Sequence, residues 1–152
     1  MNLKKLKEKH LLKIINLYPP YLGAGVSVTP LNAEQTKLEV SMKLRPWNQN
    51  YVGTHFGGSL YSMCDPWFML VLLKLLGRDY LVWDKAASIK FLRPGKGRVR
   101  AIFEITPEKL QAIIDAVETD GKIEPEFEVD VLNDKDEIVA KVQKTLWVKK
   151  KN

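Results

Sequence analysis

Gly57–Leu76, GGSLYSMCDPWFMLVLLKLL, decides the fold. Two glycines open it, and apolar residues then cover nearly every side of a helix drawn through it, interrupted mainly by Asp65, Pro66 and Lys74. A helix that is apolar all round is enclosed by other structure. The segment is therefore expected to form one long central helix. Its most apolar part, residues 63–76, falls short of the roughly 18 unbroken apolar residues of a membrane span, so no transmembrane segment is expected.

The flanks read mostly as strands. Residues 36–44 alternate, with Leu38, Val40, Met42 and Leu44 on one face and Lys37, Glu39, Ser41 and Lys43 on the other, the signature of a strand with one buried side. Residues 25–31 suit a shorter strand, and residues 45–56 read as a loop. Beyond the central helix, residues 81–92 and 97–105 are expected to pair as a hairpin around Pro94-Gly95-Lys96. Thr106 and Pro107 open a helix through about Val117, followed by Gly121. Residues 126–132 and 138–148 make a second hairpin around Asn133-Asp134-Lys135-Asp136. Ahead of all these, Leu3, Leu6, Leu11, Ile14, Ile15 and Tyr18 recur near helical period until Pro19-Pro20, which is expected to end that helix. Strands joined largely by hairpins around one buried helix imply an α+β arrangement, an antiparallel sheet wrapped over a long central helix. With 152 residues and no linker or repeat, residues 1–152 read as a single domain.

Composition narrows the function. Cys64 is the only cysteine, which excludes an intrachain disulfide or a multi-cysteine zinc site and suits a reducing, cytoplasmic setting. The formal charge is +6, but the lysines crowd residues 4–13 and 149–151, which reads as solvated ends; no nucleic-acid partner is expected. A third basic group, Lys90, Arg93, Lys96, Arg98 and Arg100, falls on the expected first hairpin, where it can hold a phosphorylated ligand. Ser59 and Ser62 lack a nucleophile-elbow setting, and His10 and His55 lack metal-ligand spacing, so neither a serine hydrolase nor a metal is implied. Gly23-Ala24-Gly25 and Gly95-Lys96-Gly97 lack nucleotide-binding frames.

Asn50-Tyr51-Val52-Gly53-Thr54-His55-Phe56-Gly57-Gly58, followed by Asp65, resembles the hotdog-fold acyl-CoA thioesterases related to phenylacetyl-CoA thioesterase. Their pattern reads Asn-x-x-Gly-x-x-His-Gly-Gly with an acidic residue further along the helix. Asn50, Gly53, Gly57, Gly58 and Asp65 match in spacing, and residues 88–94, SIKFLRP, resemble the strand ending in Leu-Arg-Pro. Thr-x-Phe-Gly-Gly-Ser-Leu and Asp-Pro are more similar to a branch described as tetrameric acyl-CoA thioesterase-like. The departure is Phe56 at the motif's histidine position, with His55 one residue earlier.

The resemblance implies a hotdog fold, thioester hydrolysis of an acyl-CoA without a further cofactor, and a homodimer or homotetramer with no integral membrane association. Thioester hydrolysis builds negative charge on the carbonyl oxygen, which backbone N–H groups can stabilise. Gly57 and Gly58, at a helix N-terminus and without side chains, are the candidate donors, although two glycines also suit tight helix packing. Asp65 is the sharper candidate, because aspartate is a poor helix-interior residue and is rarely buried without a partner. Ionised, it attacks the thioester or activates water; alternatively, it caps a helix restart at Pro66.

A continuous helix would separate Gly57 from Asp65 by about 12 Å, too far to hold one reacting carbon. Two central helices packed antiparallel about a twofold axis would bring Asp65 of one chain to Gly57-Gly58 of the other. Asn50 joins the catalytic set as a loop or substrate ligand, while His55, Phe56, Lys90 and Arg93 are the substrate-binding candidates. Two other functions fit the same sequence: a non-catalytic acyl-CoA or fatty-acyl binding protein, suggested by Phe56, and a membrane-surface module using the basic first helix.

Overall fold

The computed structural model describes Leu12 and residues 14–151. Seven antiparallel strands form one sheet in the order β1-β2-β4-β6-β7-β3, with the short β5 also on β7. These are β1 (Val26–Pro30), β2 (Lys37–Lys43), β3 (Tyr80–Phe91), β4 (Arg98–Glu104), β5 (Lys122–Ile123), β6 (Glu126–Asn133) and β7 (Ile138–Lys150). Four helices that lie wholly within the described residues accompany them: α1 (Pro19–Ala24), α2 (Gly57–Ser62), α3 (Trp67–Leu76) and α4 (Pro107–Asp120). The expected α+β arrangement, a sheet packed on a central helical segment, is what the chain adopts.

Alternation does what it should in β2, where Leu38, Val40 and Met42 are buried. The inner face of the sheet meets α3 through Trp67, Phe68, Val71 and Leu72. Phe68 stacks on Phe127 of β6 at 4.8 Å between ring centroids and meets Phe103 of β4 edge-on at 5.1 Å. Thr106 caps α4 by accepting from the Lys109 N–H at 3.2 Å, and the helix runs to Asp120, three residues beyond expectation, before Gly121 closes it at φ 74°.

Four expectations need correction. The central helix is two helices, because Pro66 lacks the N–H a continuous ladder needs and residues 63–66 turn between α2 and α3. The indole N–H of Trp67 donates to the Met63 carbonyl at 2.8 Å and satisfies part of that break. Taken whole, Gly57–Leu76 is 20 residues and apolar enough to cross a membrane, since α2 adds to the run read alone above; the break and the packing of α3 identify it as the core segment.

The second correction concerns β3 and β4, which do not pair. β3 lies beside β7, while β4 lies between β2 and β6, so residues 92–97 cross between distant strands. Turn residues signal a change of direction but not the neighbour that follows. Third, Pro19 and Pro20 begin a helix instead of only ending one, since proline suits the first helical turn. In the expected first helix, Leu3, Leu6 and Leu11 lie outside the described residues, as do the basic residues up to Lys13; Leu12, Ile14 and Ile15 are helical. Fourth, β5 had no sequence signal and arises where residues 122–123 reach β7.

Candidate functional site

The glycine end is a loop tied by its own polar groups. Asn50 Oδ1 accepts from the N–H groups of Val52 (3.1 Å) and Thr54 (3.0 Å), and its Nδ2 donates to Thr54 Oγ1 at 2.8 Å. Gly53, at φ 78°, closes the turn by donating to the Asn50 carbonyl at 3.0 Å. The Asn50 side chain is thus engaged within the loop. Asn48, not singled out by the sequence reading, is the deeper anchor: buried, it donates to the Ala24 and Lys43 carbonyls and accepts from the Arg45 N–H.

His55 joins this loop to the crossover before β4. It is 2 % exposed, and its Nε2 lies 3.1 Å from the Gly97 carbonyl, which also accepts from the Leu44 N–H. A carbonyl only accepts, so Nε2 carries the proton and the neutral ring leaves Nδ1 buried without a partner among the described residues. Burial holds the His55 pKa below its ordinary value, opposed in part by the Gly97 bond.

Phe56, half-exposed, is the residue before α2 and leads into the glycines. A Cβ on Gly58 would lie 2.5 Å from the Phe56 ring, and one on Gly57 would lie 3.0 Å from the Phe91 ring. The glycines therefore let two aromatic rings close over the start of the helix. Their N–H groups, in the first turn, have no intrahelical carbonyl to meet. A cavity of about 410 Å³ opens here, lined in part by Asn50, His55, Gly57, Leu60, Phe91 and Arg93.

Two of the five residues of the basic cluster are neutralised by ion pairs. Arg98 pairs with Glu39 and Arg100 with Asp136, while Arg93 Nη1 donates to the Ile138 carbonyl at 2.9 Å. Lys90 is exposed opposite Lys141 of β7. Of the predicted substrate-binding residues, His55 and Arg93 line the cavity, whereas Phe56 and Lys90 do not.

Asp65 sits apart from that cavity, in the break between α2 and α3, with its side chain 48 % exposed. Its Oδ1 accepts from the Tyr61 hydroxyl at 2.6 Å and from Lys144 Nζ at 2.9 Å, leaving Oδ2 without a partner among the described residues. Lys144 has a side-chain exposure of 0 % and also lies 2.9 Å from Asp84 Oδ1 of β3. The two carboxylates differ in geometry. Asp65 Oδ1 accepts from both Tyr61 and Lys144, whereas Asp84 Oδ1 has only the Lys144 ammonium, at the same 2.9 Å but less favourably aligned.

Their protonation follows the geometry. Partial burial pushes the Asp65 pKa up, but the Tyr61 and Lys144 bonds and the Lys144 charge outweigh it and hold the carboxyl below its ordinary range. For Asp84, burial prevails over Lys144, and the neighbouring Asp65 charge adds to it, so that pKa rises. Burial works against the Lys144 charge, yet its carboxylate and Tyr61 partners raise it to about 12. Cys64, fully buried beside this group, is pushed up to about 12 by burial and is an inert thiol at neutral pH.

Tyr61, Asp84 and Lys144 were absent from the sequence reading. Lys144 did leave a trace, since Val142, Lys144, Leu146 and Val148 occupy alternate positions of β7 and their inward phase is otherwise apolar. Tyr61 lies one helical turn before Asp65, the spacing of neighbouring side chains.

A family described as a domain of unknown function, DUF4442, matches residues 8–148. The chain belongs to the DUF4442 family. No curated protein matches it. Solved structures similar to this DUF4442 chain include PA5026 of Pseudomonas aeruginosa, described as of unknown function and provisionally a thioesterase, at 20 % identity, TM-score 0.75 and 93 % of each chain. OLEI01261 of Chlorobaculum tepidum TLS, of unknown function, aligns at 23 % identity and TM-score 0.71 over 95 % of this chain and 94 % of its own. Thioesterase HI1161 of Haemophilus influenzae aligns at 14 % identity and TM-score 0.65 over 99 % and 92 %. This DUF4442 chain has the hotdog fold of thioesterase-like proteins such as PA5026 and HI1161.

Proposed function

We propose that the chain hydrolyses acyl-CoA thioesters, with Asp65 of one protomer working against the Gly57 and Gly58 N–H groups of its partner. The observation that carries this reading is the Asp65 carboxylate, held as an anion through Oδ1 while Oδ2 is left free on a half-exposed side chain. In the reaction Oδ2 takes a proton from water as the water oxygen adds to the thioester carbon, and the carbonyl electron pair moves onto oxygen. Backbone N–H groups stabilise that oxyanion; its collapse breaks the C–S bond, and the departing thiolate takes the proton from Asp65. Direct attack by Oδ2 on the carbonyl carbon is the alternative route for the same atom.

Assembly supports the division of labour. The glycine-end cavity has no Asp65 in its wall, and β3, 12 residues long, presents an edge that no other described strand pairs, with exposed Ala86, Ala87 and Ser88. Such an edge, together with the half-exposed Phe56 and Phe91 rings, suits burial by a second copy in a homodimer or a homotetramer built from dimers. Arg93 in the cavity wall, and Lys90 exposed outside it, are then the groups offered to CoA phosphates. A reducing, cytoplasmic setting fits the single buried thiol, and no further cofactor is required.

The experiment is thiol release from aliphatic and aromatic acyl-CoA esters by the wild type, Asp65→Asn and Asp65→Ala. Cleavage that both substitutions abolish is the expected result; cleavage indifferent to both contradicts the assignment. Tight acyl-CoA binding with no cleavage of any ester favours a non-catalytic acyl-CoA binding protein, the function suggested by Phe56 at the motif's histidine position.

A further inference from the structure

A lysine whose side chain is wholly buried needs a reason, because taking an ammonium out of water costs several kcal/mol unless charges and hydrogen bonds compensate. Lys144 of β7 has no solvent exposure, and its Nζ is within 3.2 Å of three oxygens: Asp65 Oδ1, Asp84 Oδ1 and the Tyr61 hydroxyl. These come from three different elements, the α2–α3 break, β3 and α2, so β7 gathers them through one side chain. On the flanking strands, register places Ala87 of β3 and Phe127 of β6 beside Lys144, which adds no further charge. Cys64 and Tyr21, the other titratable groups near Asp65, are both buried and have pKa values raised by burial, so both are neutral around pH 7.

One cation for two carboxylates leaves an excess negative charge when all three groups are ionised. The cluster resolves this unequally, because Asp65 Oδ1 accepts from Tyr61 as well as from Lys144, whereas Asp84 Oδ1 has Lys144 alone at 2.9 Å. We propose that Lys144 is the positioning residue of the site: its buried ammonium, shared between Asp65 and Asp84, fixes Asp65 in orientation and as an anion, so that Oδ2 is the oxygen offered to substrate. Asp84 is the carboxylate that takes up a proton first as pH falls, leaving the Lys144 charge to Asp65. Lys144 itself touches no reacting atom. The consequence for turnover rests on Asp65 being the hydrolytic base; the consequence for its titration does not.

Two readouts therefore test the proposal separately. The first is the carbon-13 carboxyl titration of Asp65 by NMR in the full-length protein, which needs no activity. The second is the acid limb of kcat/KM for any ester the wild type cleaves. Lys144→Met is expected to move both upward by about one pH unit or more, the usual effect of losing an opposite charge within a few ångströms. Lys144→Arg, which keeps the charge, restores both toward wild type. Asp84→Asn leaves both in place or moves them down, because it removes a competing anion; a purely structural role for the cluster predicts no such difference in sign.

Should Lys144→Met fail to fold, the double variant Lys144→Met/Asp84→Asn removes one charge of each sign together, and the Asp65 titration must still rise in it. A folded Lys144 variant lacking the cation, in which Asp65 titrates as in the wild type, overturns the proposal. If no ester is cleaved by any form, hydrolysis fails as the function while the NMR titration still decides the role of Lys144.

Discussion

The two ends of α2 are built on opposite plans. At the glycine end, Asn50 bonds to residues two and four positions away, so the tip of the loop is shaped by local chemistry, while Asn48 and His55 tie its base to Ala24 and Gly97. At the aspartate end, the bond from Lys144 to Asp65 spans 79 residues, and Asp84 comes from a third element. Local construction makes a shape that a short motif can announce. Long-range construction makes a charge state, which depends on strand register and on what else is buried.

The comparison can be broken by substitution, and the largest expected effect on stability is at the aspartate end. Trp67→Ala removes a fully buried ring and the indole N–H that satisfies the Met63 carbonyl. It should cost about 3–5 kcal/mol in denaturant unfolding. A loss below about 1 kcal/mol would mean that the break between α2 and α3 is not held by this packing.

His55→Ala comes next. It empties a buried site and leaves the Gly97 carbonyl with the Leu44 N–H alone, at a cost of about 1–3 kcal/mol. It also changes the pH dependence. The folded pKa of His55 is below the ordinary 6.5, so between those values the unfolded chain binds more protons, and stability falls as pH drops below 6.5. Thermal unfolding of the wild type between pH 7 and 5 should show that loss, and His55→Ala should flatten it. An unchanged slope would show that the imidazole is not held neutral by the fold.

Asn50→Ala is the smallest of the three, costing about 1 kcal/mol through lost loop hydrogen bonds. If the loop's role is shape alone, this variant should weaken substrate binding more than it slows the chemical step, raising KM with kcat largely retained. A fall in kcat matching that of Asp65→Asn would give Asn50 a direct part in the reaction and erase the contrast between the two ends.

The contrast also explains what the sequence could disclose. β2 and the hairpin of β6 and β7 were legible because alternation and turn residues are local signals, and they appear within two residues of their expected ends. The hotdog arrangement was legible through the glycine motif and element order. The β3–β4 pairing was misread because residues 94–96 resemble a hairpin turn, whereas the partner of β3 is decided by the burial of β7 between β3 and β6. Asp65 stood out as a polar residue in an apolar run. Lys144 stood in an equally apolar phase of β7, but only the register that sets it beside Ala87 and Phe127 brings it to Asp65.

The most direct test of the central claim is a pair of constants for Asp65→Asn on an ester that the wild type cleaves: kcat by thiol release, and Kd for a non-hydrolysable acyl-CoA analogue by calorimetry. If Asp65 is the ionised base of the reaction, kcat falls by about 10²–10⁴ while Kd stays within a few-fold of wild type. Equal kcat values for the two proteins would contradict the account.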